Sequence, residues 1–303
     1  MAGILERIGD SGVIPVATID HAVNSIPLAA ALLKGGLPVV EVTFRTGAAA
    51  EAISGLAAKF PEMLVGAGTV LNVPQAEQAV AAGAQFIVSA GFSSGVVQYC
   101  LNKGVLVIPG CSTPTEITAA LEFGLKVVKF FPAEIFGGVG ALRALGKPFG
   151  QISFIPTGGI GFHNLIDYLA LDNVWACGGS WMIKPDRRAV TRLARTTMSE
   201  VLGLSLDREI EGALLDEIEA IFNLSIRERS APAGALARTK PDAAVGAEAY
   251  LIVKTRSMAR AKAYLQREGI AFFPETGATS ALTPASIRLK RKAGDLCIRV
   301  VEE

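Results

Sequence analysis

From Val13 to about Leu202 the chain alternates two kinds of segment: a short continuous apolar run, then, after a turn, an Ala/Leu-rich stretch with apolar positions at helical spacing. The apolar runs are Val13–Ile19, Val39–Phe44, Leu64–Val70, Gln85–Gly91, Leu106–Gly110, Lys126–Pro132, Ser153–Gly159 and Val174–Trp181, eight in all. The intervening stretches predict helices over Ile26–Lys34, Ala48–Phe60, Pro74–Ala82, Ser94–Lys103, Pro114–Phe123, Gly138–Leu145, Asn164–Leu171 and Pro185 to about Leu202. Gly35, Gly83, Gly104 and Gly124 follow four of them, where a left-handed residue would stop a helix. Continuous apolar runs between helices predict parallel strands covered on both faces. Eight units in roughly 190 residues predict an α/β chain of the (β/α)8 TIM-barrel class. The alternative is an open doubly wound sheet. No Gly-x-Gly-x-x-Gly fingerprint follows the first run, which weakens the dinucleotide-binding version of that alternative. In a barrel the site lies at the C-terminal ends of the strands.

The pattern changes beyond the barrel, predicted over residues 1–203. Ser205–Phe222 predicts one more amphipathic helix, with Leu206, Ile210, Leu214 and Ile218 on one face. Ser225–Gly246 is rich in Ala, Pro, Arg and Gly without period and predicts a linker, so residues 204–247 join two folded parts. In residues 248–303 the pattern returns. Tyr250–Thr255 predicts a strand, Ser257–Glu268 a helix, and Ile270–Pro274, Ile287–Leu289 and Cys297–Val301 strands. This is a small α+β module of order βαβββ. At about 55 residues it is marginal alone, and we expect it to pair with a copy of itself or pack on the barrel.

Composition narrows the partners. Lys plus Arg total 29 and Asp plus Glu 28, so no basic excess points to nucleic acid. Met1–Asp10 lacks the apolar core of a signal peptide. Gln78–Asn102 is uncharged over about 25 residues, longer than the ~18 that can span a membrane. Its glutamines, serines and glycines divide it around Gly91, which predicts an interior strand followed by a helix and no membrane partner. Cys100, Cys111, Cys177 and Cys297 lie too far apart for a metal knuckle or redox pair, and reduced cytoplasmic thiols are expected. His21 and His163 are the only histidines. No metal and no cofactor are expected, although carboxylates alone could hold magnesium.

Four groups of residues can carry chemistry. Val127, Lys129 and Phe131 share one face of the sixth strand. Apolar surroundings favour the neutral amine, the form that attacks a ketone. The alternative is a lysine that snorkels to solvent. On the second strand, Glu41, Thr43 and Arg45 share a face. Buried polar groups need partners, so this is not a core pattern. Glu41 would lie deepest and could move protons, and Arg45 at the mouth could clamp a carboxylate. A structural Glu–Arg ion pair is the alternative. Gly66-Ala67-Gly68-Thr69 allows close backbone approach and offers the Thr69 hydroxyl. Thr157-Gly158-Gly159 and Gly178-Gly179-Ser180 end strands seven and eight, where glycine-rich loops of this fold often bind phosphate. The alternatives are a tight turn at Gly66–Thr69 and tight packing at the two later βα turns.

The segments 41–46 (Glu-Val-Thr-Phe-Arg-Thr), 65–70 (Val-Gly-Ala-Gly-Thr-Val), 108–113 (Ile-Pro-Gly-Cys-Ser-Thr), 129–134 (Lys-Phe-Phe-Pro-Ala-Glu), 156–160 (Pro-Thr-Gly-Gly-Ile) and 178–181 (Gly-Gly-Ser-Trp) resemble 2-keto-3-deoxy-6-phosphogluconate aldolase, a family that includes 4-hydroxy-2-oxoglutarate aldolases. The resemblance covers about residues 1–203. It implies a class I aldolase of the Entner–Doudoroff route, usually a homotrimer. Lys129 would form an imine with pyruvate and Glu41 would move protons, through a water. Arg45 and Thr69 would hold the pyruvate carboxylate, with Phe131 beside them. Thr157, Gly158, Gly159, Gly179 and Ser180 would bind the glyceraldehyde 3-phosphate end. Ser89-Ala90-Gly91 departs from the family's Ser-Pro-Gly, and Cys111 occupies a variable position. The βαβββ order is similar to half of a glyoxalase-type domain, but that region has no histidine. Three further readings remain: a 4-hydroxy-2-oxoglutarate aldolase, cleavage of the galactonate-derived epimer with Thr157 reading the differing hydroxyl, and a binding or assembly protein working through the C-terminal module.

Overall fold

Most strands form where apolar residues run together, and a glycine, proline or polar residue soon follows. The computed structural model describes residues 2–202, 205–206, 216, 218, 220–222, 250–255, 257–273, 286–293 and 296–302. Its contacts divide into two units, Met1–Ala194 and Arg195–Glu303.

The first unit holds strands β1 (Val13–Ala17), β2 (Val39–Thr43), β3 (Leu64–Gly68), β4 (Phe86–Val88), β5 (Leu106–Ile108), β6 (Val127–Phe130), β7 (Ser153–Pro156) and β8 (Cys177–Gly179). Between them lie α2 (Ser25–Lys34), α3 (Ala49–Lys59), α4 (Val73–Ala81), α5 (Ser94–Lys103), α6 (Pro114–Glu122), α7 (Gly138–Gly146) and α8 (Leu165–Leu169). α9 (Arg187–Leu202) follows β8. The caps agree with the sequence: the Asn72 side chain accepts from Gln75 N at 3.0 Å at the start of α4, and Thr113 with Glu116 forms a capping box on α6.

Six parallel strands form one sheet, in the order β5-β4-β3-β2-β1-β8, and β6 and β7 form a parallel pair. Gly110 bridges to Lys129 at one seam, and Phe154 to Val174 and Thr157 to Gly178 at the other. Strands in sequence order with helices between them make a TIM-like α/β fold. The doubly wound alternative requires a reversal of strand order that is not seen here.

One helix was not anticipated. α1 (Ala2–Ser11) places Ile4, Leu5 and Ile8 against strand-start residues including Ile14, Val39, Leu64, Phe86, Val127 and Ile155. Trp175 Nε1 donates to Leu5 O at 2.8 Å, and its ring lies against Gly9. The N-terminal ends of the strands are therefore capped by an apolar plug, leaving the C-terminal ends for chemistry. A second expectation is corrected at the end of α2. Gly35 has φ −89°, and the left-handed residue is Gly36 at φ 82°. Gly83, Gly104 and Gly124 are left-handed as expected.

In the second unit, β10 (Tyr250–Thr255), α10 (Met258–Arg267), β11 (Phe272–Phe273), β12 (Ser286–Ala293) and β13 (Leu296–Glu302) follow in order. With β9 at Ser205–Leu206, the sheet runs β11-β12-β13-β10-β9, with β10 parallel to β13. Its last member, β9, pairs antiparallel with Val253 and Lys254. This corrects the predicted helical start at Ser205, where pairing to a neighbouring strand overrides the periodicity. Ile210 and Leu214 of that predicted helix, and the predicted linker Ser225–Gly246, lie outside the described residues. Among the described residues no helix is long and apolar enough to cross a membrane.

Candidate active site

Side chains on one face of a strand recur every two residues. Val39, Leu64, Val127 and Ile155 belong to the apolar layer beneath the site. Two residues on, the same register brings Glu41, Gly66, Lys129 and Thr157. Among the described residues, Glu41 and Lys129 are the only fully buried charged side chains, at 2% and 5% exposure. Lys34, Lys59, Lys103, Lys126, Lys147 and Lys184 of the same unit are all exposed. The snorkelling alternative therefore fails for Lys129.

Lys129 Nζ lies 3.6 Å from Glu41 Oε1 and 5.1 Å from the centroid of the Phe131 ring. Glu41 Oε1 is buried and has no hydrogen-bond partner among the described residues. Glu41 thus pairs with Lys129 and not with Arg45, against the structural Glu–Arg alternative. Two charges out of water are costly unless their geometry and remaining hydrogen bonds are good. A buried charged pair in an otherwise apolar interior is a candidate functional site. The Lys129 backbone is fixed on both sides, donating to Pro109 O and accepting from Cys111 N, each at 2.8 Å.

The glycines of β3 make room for side chains of the neighbouring strands. A Cβ on Gly68 would overlap the Glu41 carboxylate, and one on Gly66 would overlap the Phe86 ring. The close approach expected at Gly66 and Gly68 is therefore by side chains of neighbouring strands. Thr43 is buried, and its Oγ1 shares a 2.9 Å hydrogen bond with Thr18 Oγ1. Arg45 lies beyond the end of β2, in the turn, and is exposed. Strand alternation does not govern its direction. Thr69 has φ 55°, the only positive φ at a non-glycine among the described residues. Such strain persists where surroundings over-determine it, often at ligand sites.

The model for the aldolase family described as KDPG and KHG aldolase matches residues 4–196. The chain belongs to the KDPG and KHG aldolase family. It is similar to the 2-dehydro-3-deoxy-phosphogluconate aldolase of Treponema pallidum (strain Nichols), 49% identical over 207 residues that span 66% of this chain and 99% of that protein. The KDPG aldolase of Legionella pneumophila, with pyruvate captured at low pH as a covalent carbinolamine intermediate, is similar at TM-score 0.61 and 38% identity, over 63% of this chain and 96% of that one. The Zymomonas mobilis ZM4 aldolase with 3-phosphoglycerate matches at TM-score 0.61 and 37% identity, over 65% and 94%.

The other expected residues of the aldolase sit on the last two loops. Thr157 is buried and bridges to Gly178, whose missing Cβ leaves room for the Thr157 hydroxyl. Gly158 and Gly159 have φ 99° and 80°, a conformation that turns backbone amides in a way L side chains rarely allow. Gly179 lies under the Trp181 ring, and Ser180 is exposed. The Trp181 ring packs edge-on to Phe162 at 6.2 Å, linking the two loops.

Cys111, beside the lysine strand, is a buried free thiol. Burial, with the Glu116 carboxylate adding, pushes its thiol up to about 12. Burial alone raises Cys100 to about 11. The Ala90 loop is held by Ser89 Oγ donating to Gly91 O at 2.8 Å, and Gly110 abuts the Ala90 carbonyl. Among the described residues, no three His, Cys, Asp or Glu side chains are placed to hold a metal ion.

Sequence reasoning missed Thr18, Ser112, Glu134 and Tyr168. Ser112 Oγ donates to Phe131 O at 2.6 Å, and Tyr168 OH donates to the Glu134 carboxylate. Glu134 lay within a recognised segment but was given no role. Its signal was an acid among apolar residues just after the lysine strand.

Proposed function

We propose that the chain is a class I aldolase that cleaves 2-keto-3-deoxy-6-phosphogluconate to pyruvate and glyceraldehyde 3-phosphate. The observation that carries this reading is the buried Lys129 amine facing an unsatisfied Glu41 carboxylate oxygen at 3.6 Å. Lys129 adds to the C2 carbonyl, and the carbinolamine loses water to give a protonated imine. A base removes the C4 hydroxyl proton, the C3–C4 bond breaks, and its electrons pass into the imine to form an enamine. The aldehyde leaves. Protonation at C3 and hydrolysis release pyruvate and the free amine. Glu41 moves these protons, directly or through a water.

In this reading Arg45 and Thr69 hold the carboxylate, and Phe131 flanks the keto-acid. Thr157, Gly158, Gly159, Gly179 and Ser180 take the phosphate end, at the two loops where the fold commonly places anions. The carbinolamine captured on the Legionella enzyme and the 3-phosphoglycerate bound to the Zymomonas enzyme support the two halves of this assignment. We place a closed (β/α)8 barrel within residues 1–203 and a βαβββ module at 248–303, with residues 204–247 joining them and contributing β9 to the module's sheet. We place the enzyme in the cytoplasm as a homotrimer, with the module promoting further self-association.

Borohydride reduction in the presence of pyruvate tests the mechanism. Intact protein should gain the mass of one reduced pyruvate adduct per chain, and Lys129→Ala should gain none. Adduct on Lys129→Ala would overturn the assignment. The family description favours a second substrate, 4-hydroxy-2-oxoglutarate, yielding pyruvate and glyoxylate. The ratio of kcat/KM for the two substrates decides which dominates.

A further inference from the structure

The acid after the lysine strand has no part in the chemistry above. Ala133 N donates to Thr157 O at 2.8 Å, and Glu134 N donates to Gly158 O at 3.1 Å. The backbone beyond β6 therefore continues in register with the loop beyond β7. The Glu134 stem packs directly on Gly159, where a Cβ would stand 2.6 Å from Glu134 Cβ. Its carboxylate turns the other way and accepts from Tyr168 OH, whose ring on α8 is fully buried. A Cβ on Gly138 would sit 3.0 Å from that hydroxyl and 3.2 Å from Glu134 Oε1, so the pair is enclosed on a third side. Burial first, and then the bond to Glu134, raise the Tyr168 hydroxyl far above its ordinary range and keep it a donor.

We propose that Glu134, held by Tyr168, is a positioning residue that fixes the Gly158–Gly159 backbone for the phosphate end of the substrate. The inference rests on the phosphate reading of the Thr157–Gly159 loop given above. An acid beside a phosphate subsite is unfavourable by charge alone. Here its stem supports the loop while its carboxylate is directed away, to the tyrosine.

The test compares Tyr168→Phe, Glu134→Ala and Glu134→Gln in the full chain, with 2-keto-3-deoxy-6-phosphogluconate and unphosphorylated 4-hydroxy-2-oxoglutarate as substrates. Tyr168→Phe and Glu134→Ala should each raise KM for the phosphorylated substrate about tenfold, the equivalent of one hydrogen bond to a charged group. Values of kcat, and both constants for the unphosphorylated substrate, should hold within about twofold. Glu134→Gln keeps the stem and an acceptor oxygen and should restore most of the wild-type KM. If Tyr168→Phe fails to fold, the two Glu134 variants decide the matter. Parallel losses on both substrates would overturn the inference and leave only a structural brace. A wild-type preference for the phosphorylated substrate that survives in every variant also overturns it. A wild-type enzyme with no such preference overturns the phosphate reading, and the inference falls with it.

Discussion

Lys129 and Glu41 depend on one another in a way that stability measurements can expose. Removing one partner of a buried pair leaves the other charge uncompensated, at a cost of about 3 kcal/mol or more. Lys129→Met should therefore destabilise the protein strongly in urea, and adding Glu41→Gln should recover most of the loss. The two single changes should be far from additive. Additive effects would mean that water already satisfies both groups. Cys111 gives a prediction of opposite character. Its thiol is raised from an ordinary value of 9.0 to about 12 in the folded chain. Between those values the unfolded chain has released a proton that the folded chain retains, so stability falls as pH rises. One such thiol contributes a slope of about 1.4 kcal/mol per pH unit. Cys111→Ala should lessen the decline in urea stability between pH 9 and pH 11, and an unchanged slope would sink this account.

At the scale of elements, the strands and helices of the first unit were legible because their apolar runs and helical spacings are long and cleanly punctuated. α1 was not, since its apolar residues Ile4, Leu5 and Ile8 acquire meaning only when eight strand starts converge beneath them. The same limit applies to the site. Lys129 and Glu41 were readable as polar residues in apolar strands, but the reason for Gly68 lies in another strand. A Cβ there would overlap the Glu41 carboxylate. Register between β2 and β3, with Thr43 opposite Gly68, is tertiary information that no local pattern carries. Gly68→Ala should displace Glu41 by about an ångström and lower kcat roughly 100-fold, while the pyruvate adduct still forms on Lys129. Steady-state kinetics beside borohydride trapping separates the two steps. Loss of trapping would show that Gly68 supports the lysine itself.

For the molecule as a whole, the decisive comparison is length. A relative from Treponema pallidum is matched over 99% of its sequence by 66% of this chain, so the aldolase fold is complete there without a further unit. The family match ends at residue 196, inside α9. In this chain the end of that helix, with Met198, Val201 and Leu202 buried, belongs to the second unit. A chain cut after residue 203 would therefore keep every residue assigned to imine chemistry and phosphate binding, yet expose apolar helix surface of a kind that promotes association. We expect its kcat/KM to stay within about threefold of the full chain, because every residue assigned to the reaction belongs to the first unit. Its oligomeric state, read by light scattering, should change. Activity that falls by an order of magnitude or more would make the second unit part of the catalytic assembly, and unchanged activity with unchanged size would deny it the assembly role.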